Sequence, residues 1–209
     1  MKTAKVSGIL LAAGGSSRMG RNKLGMRVGG GTIGGMAFHA AFQSNLDHVI
    51  VVTQKGDTLG WMEPPICPSS RWTQAVCEEA AGGQAYSLRR GVQAAIECKS
   101  DGIVVLLADQ PFVQPAMINH LLSIFRTIME DGEEVGVIAS RHEGRQQPPL
   151  LFSESQFSKL LKLRGDTGAR KIIQGMPKNL CRSIDYQDWR PFYDIDTEDD
   201  YLWIMGNKH

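Results

Sequence analysis

Three runs of apolar residues occur in the first half of the chain, and none of them alternates with polar positions. The runs are VSGILLA at 6–12, HVIVVT at 48–53 and GIVVLLAD at 102–109. Continuous apolar runs of this length are typical of strands that are covered on both faces in a parallel sheet. They therefore predict the centre of a parallel sheet.

Apolar positions between these runs recur at spacings of three and four residues, which indicates amphipathic helices. Helices are predicted over 32–44, 87–98 and 115–130, with Thr32, Ser87 and Pro115 as their starts. Strands that alternate with helices predict an α/β fold built in layers.

The second half of the chain predicts two further strands, at 134–139 and 147–152. Two prolines in the latter favour an edge position or a bend, and the sheet should be mixed. A proline-rich stretch over 56–71 predicts a surface loop. Because no linker or repeat separates these elements, a single domain over 1–209 is expected.

The charges of the chain nearly cancel, with 23 Lys and Arg against 22 Asp and Glu and a formal net charge of +1. This balance provides no overall field that would attract nucleic acid or an anionic membrane, so neither is expected as a partner. No apolar run approaches the roughly 18 residues of a membrane span. Function must therefore be carried by a local site.

The first residues imitate a signal peptide, because Lys2 and Lys5 precede a short apolar run. Ser7 and Gly8 interrupt that run, and we interpret it as a buried strand of a cytoplasmic protein. The four cysteines form no C-x-x-C pair and have no histidine at zinc-ligand spacing. Reduced thiols fit these positions better than disulfides or a structural metal cluster.

The segment LAAGGSSRMGRNK at 11–23 directly follows the first predicted strand. It contains the glycines Gly14, Gly15 and Gly20 and the cations Arg18, Arg21 and Lys23. Glycines let the backbone wrap around a ligand, and cations at the carboxyl edge of a sheet attract phosphate. The pattern predicts an anion-binding loop, with a glycine-rich surface turn as the alternative. A Walker loop is excluded, because Arg21 and Asn22 stand where Lys followed by Ser or Thr is required.

A second glycine pattern, Gly29-x-Gly31-x-x-Gly34, matches the dinucleotide-binding motif by its letters alone. No convincing strand precedes it, and no strand end carries an acidic residue about 20 positions further on. We interpret it as a loop that enters the following helix.

Carboxylates follow two other elements. Asp109 lies at the carboxyl end of the 102–109 run, where it could hold a Mg²⁺ ion that bridges to triphosphate oxygens or could cap the next helix. Asp194 and Asp196 precede a predicted helix, as part of its cap or as a source of a second carboxylate for the same metal. The sequence leaves both alternatives open.

The segment RGDTGARKII at 164–173 predicts a helix start with Asp166 as its cap. Arg170 and Lys171 would then lie one turn into the helix, where they suit a second anion. The Arg-Gly-Asp triplet is also an adhesion motif, which does not fit a cytoplasmic enzyme.

Taken in order, these segments resemble the nucleotidyltransferases of molybdenum cofactor biosynthesis, and within them the molybdenum cofactor cytidylyltransferases that serve xanthine-dehydrogenase-type enzymes. The resemblance spans nearly the whole chain. It is carried by LAAGGSSRMGRNK, GQAYSLRRG at 83–91, LLADQPF at 106–112, LRGDTGAR at 163–170 and DIDTED at 194–199.

The resemblance implies a three-layer α/β/α Rossmann-like fold of the nucleotide-diphospho-sugar transferase type, with a mostly parallel mixed sheet. It implies that the terminal phosphate of molybdopterin attacks the α-phosphate of CTP, with Mg²⁺ required and pyrophosphate released. An apo molybdenum hydroxylase such as xanthine dehydrogenase is implied as a further partner. Ala13 agrees with the cytidylyl branch, which tends to have LAAG where the guanylyl branch has LAGG.

Site residues also follow from the resemblance. The catalytic set is Arg18, Lys23 and Asp109, and the metal would be held by Asp109 and Asp196. The nucleotide would contact Leu11, Ala12, Ala13, Gly14, Gly15, Ser16, Arg18, Lys23, Gly83, Ser87 and Asp109. The acceptor would contact Asp166, Gly168 and Arg170. The alternatives are a transferase that uses GTP or a sugar phosphate, and a non-catalytic protein that delivers the cofactor.

Overall fold

The computed structural model describes residues 3–14, 22–62 and 70–206. Its strands are β1 (Val6–Leu11), β2 (Arg27–Val28), β3 (Gly31–Thr32), β4 (His48–Gln54), β5 (Trp72–Cys77), β6 (Gly102–Leu107), β7 (Val137–His142), β8 (Arg145–Ser153) and β9 (Cys181–Asp185). Its α-helices are α1 (Ile33–Gln43), α2 (Gln84–Glu97), α3 (Pro115–Glu130), α4 (Phe157–Leu160), α5 (Arg170–Gln174) and α6 (Glu198–Gly206).

Within these ranges, seven strands form one sheet in the order β5-β4-β1-β6-β8-β7-β9. The strands β5, β4, β1 and β6 are mutually parallel, and β9 is parallel to β7. Only β8, among the described strands of this sheet, runs antiparallel to its neighbours. The prediction of a mostly parallel mixed sheet is therefore confirmed. The short strands β2 and β3 form a separate hairpin.

Helices cover both faces of the sheet, which explains why the central strands are apolar throughout. Leu10 of β1 faces a core that contains Phe38 of α1 and Leu121 of α3. Ile9, its neighbour in the strand, faces the opposite core with Leu88 of α2 and Leu160 of α4. Successive strand residues point to opposite faces, so alternate positions of one strand fill two cores. The three-layer α/β/α arrangement is thus confirmed.

The predicted helix starts are confirmed at two of three places. Thr32 caps α1, where its side chain accepts a hydrogen bond from the amide of Gly35, and Pro115 is the first residue of α3. The start at Ser87 is wrong, because α2 begins at Gln84. Gly83 precedes it with a φ of +115°, a conformation that favours glycine and lets the chain enter the helix earlier.

The proline-containing strand β8 lies between β6 and β7, so the predicted edge position is wrong, and the pairing is irregular at the prolines. Pairing with β6 begins at Leu150, beyond the two prolines. Pairing with β7 shifts register between Ala139 and Ser140, opposite the same prolines. The missing amide donors are therefore accommodated where the ladder is interrupted. None of the described helices is long and apolar enough to cross a bilayer.

Candidate active site

The carboxyl ends of β1 and β6 lie side by side at the centre of the sheet. The two strands are parallel neighbours, and their last residues, Leu11 and Leu107, are paired in register. The amide of Ala108 donates to the carbonyl oxygen of Leu11 at 3.1 Å. The loop after β1 therefore starts at the same edge of the sheet at which Asp109 follows β6.

The segment that contains Asp194 and Asp196 is held against this edge by the residue between them. The side chain of Ile195 is fully buried, and its amide donates to the carbonyl oxygen of Asp109 at 3.1 Å. Asp200 of α6 fixes the segment from the other side, because its Oδ2 accepts hydrogen bonds from the amides of Asp196 and Thr197 at 3.0 and 2.8 Å. Thr197 caps α6, because its Oγ1 accepts a hydrogen bond from the amide of Asp200 at 3.1 Å, so the cap is not supplied by the side chains of Asp194 and Asp196. The metal role of these carboxylates stays a prediction.

Lys23 joins the two carboxylates. Its Nζ donates to Oδ2 of Asp109 at 2.7 Å and to Oδ1 of Asp196 at 2.8 Å, while only 9% of its side chain is exposed. A one-turn 3₁₀ helix, Lys23–Gly25, places it, with Leu24 buried in the core. Burial lowers the pKa of Lys23, but Asp109 and Asp196 outweigh burial and raise it above its usual value. The ammonium is thus a buried cation shared by two carboxylates.

The same two carboxylates fit a divalent metal ion. Mg²⁺ and Mn²⁺ prefer oxygen ligands. The ammonium of Lys23 shows that Asp109 and Asp196 can hold a positive charge between them. No group of three or more His, Cys, Asp or Glu side chains suited to a metal ion occurs among the described residues. Such a metal ion would draw the rest of its oxygen ligands from phosphate and water.

Two adjoining chambers open at this edge of the sheet. The first has a volume of about 430 Å³, and its lining includes Ala13, Gly14, Gly83, Ser87, Asp109 and Asp166. The second has a volume of about 500 Å³, and its lining includes Pro148, Gly168, Arg170, Lys171 and Asp194. Both share the side chains of Leu11, Gln84 and Leu107, so they form one cleft.

The outer wall of the cleft is formed where the start of α2 meets the 165–168 loop. The amide of Ala85 donates to the carbonyl oxygen of Gly165 at 3.0 Å. A Cβ at Gly83 would lie only 2.5 Å from the carbonyl carbon of Gly165 and 2.6 Å from Oδ1 of Asp166. The two segments are therefore packed backbone to backbone, without room for a side chain at Gly83.

Comparison with known proteins relates this site to a family. The MobA-like NTP transferase domain matches residues 8–181. The purine catabolism protein PucB of Bacillus subtilis (strain 168) is 35% identical over 205 residues, which cover 96% of each chain. The chain belongs to the MobA-like NTP transferase family. It is therefore a nucleotidyltransferase, and the family resemblance seen in its sequence is confirmed.

Solved structures show the same fold. The crystal structure of Rv0371c from Mycobacterium tuberculosis matches with a TM-score of 0.79 and 25% identity over 99% of this chain and 100% of that one. Its manganese complex matches with a TM-score of 0.73 and 22% identity over the same shares. The architecture of this MobA-like NTP transferase is that of the nucleotide-diphospho-sugar transferases.

Most of the residues that the resemblance to this transferase family assigned are brought together in the cleft. Ala12 is an exception, because its side chain is buried in the core and its amide donates to the carbonyl oxygen of Val52 at 2.8 Å. Gly15, Ser16 and Arg18 lie outside the described residues. Their assignment to the nucleotide stays a prediction, as do the roles assigned to the described residues of the cleft.

Two helix-cap interpretations are settled by the structure. Asp109 does not cap α3, which is preceded by Gln114. The predicted cap at Asp166 is wrong, because α5 begins at Arg170 and no side chain caps it. The contact of the 165–168 loop with Gly83 instead brings Asp166 to the first chamber, away from Gly168 and Arg170 in the second.

Gln84, which lines both chambers of this MobA-like transferase, was missed from the sequence. Its place directly after Gly83 in the GQAYS segment was the available indication. Pro148 was missed as well. Lys171 was predicted only to suit a second anion and Asp194 only as a cap or metal carboxylate, and all three residues line the second chamber.

Asp194 is held in the second chamber by Gln110, whose Nε2 donates to its Oδ1 at 2.8 Å. Loss of hydration raises the pKa of Asp194 to about 6, and the nearby charge of Asp109 contributes to the same effect. Ionised Asp194 is therefore unfavourable in the folded protein when no cation is bound in the cleft.

Asp194→Asn should raise the free energy of unfolding at pH 8 when a chelator is present, because it removes an ionised carboxylate that has lost hydration and lies near the charge of Asp109. The expected gain is about 1 kcal/mol, since solvent in the open cleft weakens both effects. A raised carboxyl pKa gives stability that is fully present below the unfolded-state pKa and is lost as the pH rises through about 6. The gain from Asn should therefore disappear near pH 4. Urea denaturation at both pH values measures it, and an equal gain at both would contradict the ionisation argument.

Proposed function

We propose that this protein is a Mg²⁺-dependent cytidylyltransferase, which transfers CMP from CTP to the terminal phosphate of molybdopterin and releases pyrophosphate. The observation that carries the proposal is that Asp109 and Asp196 both contact the ammonium of Lys23, at the edge of a cleft with two chambers. A nucleotide with its metal ion needs such a carboxylate pair, and a transfer reaction needs space for a second substrate beside it.

The first chamber would hold CTP. Its wall contains Gly14 and the close packing at Gly83, which leave backbone accessible to phosphate and to the nucleoside, and Ser87 lies beside them. Arg18 would contribute positive charge from the loop, and Lys23 would stabilise the triphosphate. Bound Mg²⁺, held by Asp109 and Asp196, would neutralise part of the charge on the phosphate oxygens.

The second chamber would hold the acceptor. Arg170 and Lys171 line it, and Lys171 also lines a neighbouring cavity of about 560 Å³ together with Lys159, Lys162 and Arg164. This concentration of positive charge favours an anionic acceptor. The terminal phosphate of molybdopterin is already ionised near neutral pH, so the reaction depends on positioning and charge stabilisation more than on a general base.

Two observations support the choice of CTP and of the acceptor. Ala13, the residue on which the cytidylyl branch differs from the guanylyl branch, lines the first chamber. The similar protein PucB is named for purine catabolism. Purine oxidation is the chemistry of xanthine-dehydrogenase-type enzymes, so we propose that the product is delivered to an apo molybdenum hydroxylase of this class.

Pyrophosphate release should be measured with each of the four nucleoside triphosphates, with Mg²⁺ and with the reduced molybdenum cofactor as acceptor. The expected result is release from CTP that requires both the metal and the acceptor. Pyrophosphate release from GTP and not from CTP would assign a different transferase reaction. Release that requires a sugar phosphate in place of the molybdenum cofactor would do the same. Cofactor binding without pyrophosphate release from any nucleotide would indicate a delivery protein.

A further inference from the structure

We propose that Lys23 is an exchangeable counter-ion, which keeps a divalent metal ion out of the site until a nucleotide binds. In the nucleotide-free protein its ammonium occupies the position between Asp109 and Asp196. It leaves these carboxylates for the triphosphate when nucleotide and metal arrive together. The proposal rests on the proposed function, because it takes Asp109 and Asp196 as the metal ligands.

Lys23 and a divalent metal ion would compete for the same carboxylate oxygens. Lys23 Nζ is within 2.8 Å of one oxygen of each carboxylate. A divalent ion held by these same oxygens would compete with the ammonium for its position, and two cations at such a distance repel each other. Lys23 must therefore move if both carboxylates are to hold the metal ion together.

A bound nucleotide would give Lys23 a second anion to contact. With only 9% of its side chain exposed, the ammonium would lose most of its stabilisation if it left both carboxylates without another anion. Asp109 lines the first chamber, so a triphosphate beside it would offer such an anion within reach of a flexible lysine side chain. A nucleotide that arrives with the metal ion would supply this anion beside Asp109.

The described part of the protein supplies few ligands for a metal ion at this site. Two carboxylates leave most of the coordination sphere of Mg²⁺ or Mn²⁺ to be filled, and metal-ligating side chains do not gather in a larger group within the described ranges. Phosphate oxygens of the nucleotide would fill it. The same molecule would thus complete the coordination sphere and draw Lys23 away.

Binding of Mn²⁺ tests the exchange directly, because free Mn²⁺ can be titrated by its electron paramagnetic resonance signal. Lys23→Met removes the competing charge and keeps a side chain of similar length. In the absence of nucleotide, Lys23→Met should bind Mn²⁺ at least tenfold more tightly than the wild-type protein. A CTP analogue with a methylene group between the α and β phosphates should tighten binding to the wild-type protein by a larger factor than binding to Lys23→Met.

Lys55→Met is the matched control, because Lys55 is 76% exposed and pairs with Glu78 outside the cleft. This variant should bind Mn²⁺ as the wild-type protein does. Equal Mn²⁺ affinity of wild type and Lys23→Met without nucleotide would overturn the exchange, since the metal would then use other carboxylate oxygens. If the wild-type protein binds the CTP analogue but never Mn²⁺, the metal assignment in the proposed function fails instead.

Crystals of the wild-type protein keep the proposal testable if Lys23→Met does not fold. Soaks with Mn²⁺ alone should leave Lys23 within hydrogen-bond distance of Asp109 and Asp196. Soaks with Mn²⁺ and the CTP analogue should show Nζ on a phosphate oxygen and the metal ion between the carboxylates. Lys23 on both carboxylates in the second soak, beside a bound metal ion, would contradict the proposal.

Discussion

The Asp109→Asn enzyme should release pyrophosphate about a hundred to a thousand times more slowly than the wild-type enzyme. Asparagine keeps the size of the side chain and one carbonyl oxygen, but it removes one of the two charges that meet at Lys23. The proposed metal ion would be held by Asp196 alone, and the charge that develops on the triphosphate would be less well stabilised. Initial rates with CTP, Mg²⁺ and the reduced cofactor measure the loss.

The variant should remain folded, because Lys23 keeps its hydrogen bond to Asp196 and the backbone bond from Ile195 to residue 109 does not use the side chain. Urea denaturation checks this independently of activity. Asp199→Asn is a suitable control, since Asp199 is exposed in the first turn of α6 and lines neither chamber. An Asp109→Asn enzyme as fast as this control would remove Asp109 from the metal site.

The centre of the fold could be predicted from the sequence, and its edges could not. The strands β1, β4 and β6 are buried on both faces, so their apolar runs are continuous. The edge strands β5 and β9 were missed, because an edge strand has solvent beside it and its sequence is mixed. Exposed Thr73 and Gln74 in β5 and exposed Arg182 and Ser183 in β9 have no pattern that separates them from a loop.

The site was predicted as far as strand order allows. Asp109 follows a central strand, and the carboxyl ends of parallel strands share one edge of the sheet. Local patterns were therefore enough to predict that Asp109 and the loop after β1 lie close together. The pairing of Lys23 with Asp196 joins residues 173 positions apart, and no local pattern encodes it. The position of Asp166 was misjudged for a similar reason, because it is set by a close contact with Gly83 from another part of the chain.

That contact makes a second large effect predictable. Gly83→Ala should lower the free energy of unfolding by about 2 to 4 kcal/mol, as the sum of two unfavourable changes. The φ of +115° at this position is strained for any residue with a side chain. The added Cβ would also lie 2.5 Å from the backbone of Gly165, and backbone cannot turn aside as a flexible side chain can. Urea denaturation measures the loss.

Relief of this clash must separate the start of α2 from the 165–168 loop, and these segments carry Gln84 and Asp166 on the walls of the cleft. Gly83→Ala should therefore also weaken CTP binding, measured by calorimetry under conditions in which the variant is folded. Gly175→Ala provides the matched control, because a Cβ there would meet nothing within 4 Å and its φ is negative. If the two variants were equally stable and bound CTP equally well, the close packing at Gly83 would have no part in shaping the cleft.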